Sequence, residues 1–168
     1  MTNYATKISL IILYAIYFLS GFAAIIYQLV WQRALFTIYG TNIASVTIIV
    51  TAFLLGLGFG SLIGGAVSKK LGWPLLTIFG LAEIGIGIFG FSSPVLFKLV
   101  AQWTIRATGL EIGLATLLTV LIPTLLMGGT LPLLTAYCVR ISGNVGWSVG
   151  TLYCVNTLGS ALGCFVAG

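Results

Sequence analysis

The stretch Ile43–Val67, IASVTIIVTAFLLGLGFGSLIGGAV, decides the fold. A membrane helix needs about 20 mostly apolar residues, at 1.5 Å each, to cross a hydrocarbon core of about 30 Å. This run meets that length and is closed by Lys69-Lys70 and the turn Gly72-Trp73-Pro74. Inside it Gly56, Gly60 and Gly64 recur every four residues, a double GxxxG step, with Gly58 and Gly65 beside them. Lipid tails are as apolar as leucine, so helices in a membrane associate through close backbone approach and interhelical hydrogen bonds. The run therefore reads as a spanning helix with one face shaped to receive another helix.

Four further runs read in the same way. They cover roughly residues 8–30, ending at Trp31-Gln32-Arg33, then 75–97, 112–139 and 149–168. Lys98–Glu111, with Gln102, Trp103 and Arg106, reads as an interfacial loop or a short surface helix. The expected fold is all-α: a polytopic transmembrane helix bundle of five spans with Gly-rich close packing, in one transmembrane domain over residues 1–168. The first run is too long for a signal-peptide core and ends without a small-residue cleavage site. The fifth ends in an apolar run without an interfacial anchor, which points to a polypeptide that continues beyond Gly168.

Composition agrees. Of 168 residues, 60% are hydrophobic and 5% charged, against about a quarter charged in soluble domains. Seven Lys/Arg stand against two Glu, a net charge of +5, with no Asp and no His. No catalytic triad, Asp-held Mg²⁺ or His-ligated metal or haem can be assembled, so no catalytic or metal residue is expected. The basic residues are too sparse for nucleic-acid binding. Cys138, Cys154 and Cys164 form no metal-ligand pattern and read as small hydrophobes in a bundle. No cofactor is expected from a motif; a lipid or quinone between glycine-lined helices would leave none.

Two other spans carry small residues: Gly80, Gly85, Gly87 and Gly90 in the third, and Gly159, Gly163 and Ala167 in the fifth. On the first span Ser20, Ala24, Gln28 and Gln32 share one face. Glu83 is the only acid within a span, about nine residues or 13 Å from the Pro74 end. Counting depth puts Asn156 and Thr130 in its layer and Arg33 out of reach. The expectation is a neutral carboxyl hydrogen-bonded to Asn156 or Thr130 in a polar cluster that includes Gln28. Such an acid either locks helices together or handles a proton or cation. Between Pro123 and Pro132, Gly128-Gly129 loosens the helix, so a break that frees carbonyls, or a kink satisfied by Thr124 and Thr130, is expected there. The positive-inside rule puts Lys7, Lys69, Lys70 and Arg140 on the inner side and Arg33, Lys98 and Arg106 outside, with a cytoplasmic N-terminus in a bacterial inner membrane.

Several segments resemble the membrane domain of spermidine-synthase-like transmembrane proteins. They are Phe18–Arg33 (FLSGFAAIIYQLVWQR), Gly56–Gly65 (GLGFGSLIGG), Leu81–Gly87 (LAEIGIG), Pro123–Pro132 (PTLLMGGTLP) and Leu152–Gly159 (LYCVNTLG). In that family a multi-helix bundle is often followed by a soluble aminopropyltransferase-like domain, none of which lies in this sequence. The turn Gly64–Gly72 (GGAVSKKLG) also looks like the cytoplasmic loop of major facilitator transporters, with Ser68 near the place of the usual acid, and suggests a half-facilitator-like bundle. The resemblance implies a non-catalytic membrane subunit or anchor that packs against other membrane proteins or against itself. Its alternatives are a permeation module for a small amine or polyamine-like solute, and the anchor of an enzyme whose soluble domain lies elsewhere.

Overall fold

The computed structural model describes residues 4–39, 43–70, 72–103 and 109–168. Among these residues run five helices and no strand: α1 (Tyr4–Tyr39), α2 (Ile43–Ser68), α3 (Leu75–Trp103), α4 (Gly109–Ser142) and α5 (Val145–Ala167). Each is long and apolar enough to cross a membrane. The chain is an all-α bundle with the character of an integral membrane protein, and its outer surface is paved with Leu54, Leu62, Ile84, Phe91 and Phe165.

The helices outrun the expected spans. α1 passes through Trp31-Gln32-Arg33 and stops only at Tyr39, because Gln and Arg are good helix formers whose polarity marks depth and not a helix end. α3 continues through Lys98 to Trp103, where a loop or surface helix was expected, and Arg106 lies outside the described residues. α5 starts at Val145 and not near Val149. Its start is set by Asn144, whose side chain accepts the Trp147 N–H at 2.9 Å, an N-cap. Just before it, Gly143 takes φ 69° to close α4, and its N–H reaches Val139 O at 2.8 Å, as a left-handed C-terminal glycine does.

The break expected at Pro123, Gly128, Gly129 and Pro132 is absent: α4 is helical throughout. A proline leaves the carbonyl four residues earlier without its donor, and hydroxyls fill that role here. The Ser61 hydroxyl of α2 lies 3.1 Å from Gly128 O, the carbonyl freed by Pro132, and 2.7 Å from Leu57 O of its own helix, one donor shared between the two. Ser93 donates to Gly90 O, freed by Pro94 in α3, at 2.8 Å. Beside Pro123 the Thr124 hydroxyl lies 2.9 Å from Val120 O and 3.0 Å from Leu121 O. Gly128 and Gly129 serve packing instead of flexibility.

Two seams hold the bundle. Between α2 and α4, a methyl group at Gly60 would land on the Leu125 carbonyl and one at Gly56 on the Thr124 side chain. At Gly64 it would lie 2.6 Å from Gly129 O, and at Gly128 2.5 Å from Leu57 O. Between α1 and α5, a methyl group at Gly159 would land on the Phe18 carbonyl, one at Gly163 would lie 2.6 Å from Phe22 O, and one at Gly21 would land on the Asn156 carbonyl. The glycines of α3 divide: Gly85 and Gly90 face Leu126 and the Tyr27 ring, while a methyl group at Gly80 or Gly87 would meet nothing within 4 Å among the described residues.

Charged side chains close helix ends. Arg140 donates to Ser68 O, 3.1 Å away, at the last turn of α2, and Lys70 lies 4.7 Å above the Trp73 ring. At the opposite end Arg33 of α1 donates to Ala167 O at 3.0 Å, so the last turn of α5 is held by another helix. Both cations face the negative end of a helix dipole. One core cluster gathers Trp31, Leu35, Ile49, Phe53, Ile86, Phe97 and Val120 towards the Arg33 end. A second gathers Leu13, Tyr17, Phe79, Leu134 and Leu152 towards the Arg140 end.

Candidate functional site

The polar layer lies around α1, between the two core clusters. The Ser20 hydroxyl donates to Glu83 Oε1 at 2.7 Å. This corrects the expected partner, which was Asn156 or Thr130. Depth counting fixes a residue's layer but not its direction, and the α3 face bearing Glu83 meets α1. Glu83 Oε2 has no hydrogen-bond partner among the described residues.

The other members of the expected cluster do meet. Gln28, Thr130 and Asn156 line one cavity of about 170 Å³ with Tyr17, Ser20 and Ser160. Thr130 donates to Met127 O of its own helix at 2.7 Å. The Ser160 hydroxyl lies 3.0 Å from Asn156 O and 3.1 Å from Gly21 O, a donor shared across the α1–α5 seam. The amide side chains of Gln28 and Asn156 have no protein partner among the described residues. Both residues are half-buried and line the cavity, and a polar group drawn out of bulk water still needs a hydrogen-bond partner. The cavity can meet that demand, since its volume suits a handful of waters held by two to four polar neighbours each. Glu83 does not line it; Ser20 joins the two.

Glu83 instead ends a groove of about 430 Å³ between α1 and α3, walled by Ile12, Leu13, Ile16, Leu76 and Phe79, with Gly80 in its floor and Ser9 and Tyr137 also beside it. Leu76 to Glu83 is about 10 Å of helix. The groove thus runs from the Pro74 end of α3 to the carboxyl.

A feature not expected from the sequence lies nearer the Arg33 end. Trp31, just past the expected end of the first span, is fully buried. Its ring stacks on Tyr27, centroids 5.5 Å apart, and meets Phe53, Phe89 and Phe97 at 5.4–6.4 Å. Its indole N–H has no hydrogen-bond partner among the described residues. The signal was the four-residue step Tyr27, Trp31, Leu35, which continues an apolar face past Arg33.

Among the described residues no group of three or more His, Cys, Asp or Glu could hold a metal. Comparison with family models, curated proteins and solved structures finds no match for this chain.

Proposed function

We propose that this chain is a non-catalytic integral membrane subunit, a counterpart of the membrane domain it resembles, that packs against a partner membrane helix along the outer face of α2. The observation that carries the reading is the pair Gly58 and Gly65. A methyl group at either would meet nothing within 4 Å among the described residues. Seven residues apart, they lie on one face, flanked by the exposed Leu54 and Leu62. Glycine costs about 1 kcal/mol relative to alanine inside a helix. It is favoured in membranes where another backbone approaches closely. The three neighbouring glycines Gly56, Gly60 and Gly64 already have such a partner in α4. The outer pair offers a second surface of the same kind.

In this reading the N-terminus is cytoplasmic and the membrane is a bacterial inner membrane. Supporting the orientation are Lys69, Lys70 and Arg140, grouped at one end by the Arg140–Ser68 contact.

The test is purification from native membranes in mild detergent, comparing the wild-type chain with the double variant Gly58→Leu, Gly65→Leu. A stoichiometric membrane partner, or a second copy, should accompany the wild type and be lost from the variant, while the variant's helicity and thermal stability stay unchanged. A wild type that runs as a lone monomer, or a partner retained by the variant, would overturn the reading.

A further inference from the structure

We propose that the groove between α1 and α3 is a binding site for an apolar monoamine, with its ammonium on Glu83 and its hydrocarbon body along the groove. This goes beyond the subunit role and uses a different face of the molecule.

Three features of the groove select that ligand. Its walls, Ile12, Leu13, Ile16, Leu76 and Phe79, are apolar along about 10 Å, so the body of the occupant is hydrocarbon. At its inner end stands a carboxyl with one oxygen held by Ser20 at 2.7 Å and the other unengaged by the described residues. An acyl chain entering tail-first would press a methyl group against that polar oxygen and leave it unsatisfied. An amine entering head-first offers up to three donors to it. The ammonium–carboxylate pair brings no net charge into the membrane, and the Ser20 hydroxyl supplies the further hydrogen bond that a desolvated ion pair needs.

The same features argue against a polyamine. Its additional ammonium groups would lie against Ile12, Ile16, Leu76 and Phe79, which offer no compensating charge. The site selects one charge at one end of a short apolar chain.

Calorimetric titration of the purified full chain in detergent with hexylamine, hexanol and spermidine tests this. Hexylamine should bind at least about tenfold more tightly than hexanol, a difference of about 1.4 kcal/mol, and spermidine should bind more weakly than hexylamine. Glu83→Gln should abolish the preference for hexylamine over hexanol. Gly80→Leu leaves the carboxyl intact and places a side chain in open space on the groove floor, so it should weaken hexylamine binding by about tenfold or more. Equal binding of hexylamine and hexanol, spermidine binding as tightly as hexylamine, or a preference that survives Glu83→Gln would each overturn the proposal. Should Glu83→Gln fail to fold, hexylamine binding unaffected by Gly80→Leu would overturn it alone.

Discussion

The two sides of this bundle are joined by different physics. On one side α2 and α4 meet backbone to backbone: Gly56, Gly60 and Gly64 lie against Thr124, Leu125 and Gly129, and Gly128 lies against Leu57. On the other side α1 also uses glycine against α5, but adds hydrogen bonds, from Ser160 across to Gly21 O and from Ser20 across to Glu83 of α3. The α2–α4 seam adds to these backbone contacts the Ser61 hydroxyl, 3.1 Å from Gly128 O, whereas the α1 side keeps a cavity and a groove beside its hydrogen bonds. The difference separates a seam closed by backbone contact from one that keeps open space beside its polar groups.

That contrast can be broken most sharply at Gly128. Gly128→Leu forces a side chain into the Leu57 backbone, 2.5 Å from its carbonyl oxygen. Backbone cannot swing aside, so the loss should be at or above the top of the usual overpacking range, about 3 kcal/mol or more. Reversible unfolding in mixed micelles would read it. Gly159→Leu makes the matching insertion into the α1–α5 seam at the Phe18 carbonyl. It should cost about 2–3 kcal/mol in the same assay, and a cost near zero would show that the α1–α5 seam is loose. Ser20→Ala removes the donor to Glu83. Hydrogen bonds between membrane helices average about 0.6 kcal/mol and reach about 1.7, and the charge-capable acceptor puts this one near the upper value. Its carboxyl C=O stretch should shift in infrared difference spectra between wild type and Ser20→Ala. Ser61→Ala strips the donor from the carbonyl that Pro132 frees and should cost about 0.6 kcal/mol. It should be the mildest of the four.

What the sequence made legible follows from what a one-dimensional pattern encodes. Spans are runs of apolar residues, and a four-residue step of glycine is a face, so the five helices and the residues Gly56, Gly60, Gly64, Gly159 and Gly163 could be located by counting. Rotation of one helix against another has no such record. Glu83 and Asn156 share a depth by counting, yet Glu83 meets Ser20, because the neighbour of its face is α1. Ser20 was visible as the start of a polar stripe with Gln28, and both line one cavity, but only the three-dimensional arrangement shows that the Ser20 hydroxyl turns to Glu83. The burial of Trp31 was hidden for a related reason: it precedes Gln32 and Arg33 at the expected end of the span, while its own face of the helix leads into the aromatic cluster. Between the two readings of the prolines, a break or a kink with its carbonyls met by hydroxyls, the sequence could not choose, nor could it name Ser61 and Ser93 among the hydroxyls. Ser61 and Ser93 satisfy two of the freed carbonyls, and one of these donors sits on another helix, far away in sequence.

The central claim, that glycines on a single helix hold the bundle only where another backbone faces them, is tested within α2 by two variants two residues apart. Gly60→Leu and Gly58→Leu carry the same added side chain at nearly the same depth, one against the Leu125 carbonyl and one in open space. Measured side by side in reversible micellar unfolding, Gly60→Leu should lose about 3 kcal/mol or more and Gly58→Leu should stay within about 0.5 kcal/mol of the wild type. Equal losses, or the larger loss at Gly58, would contradict the packing described.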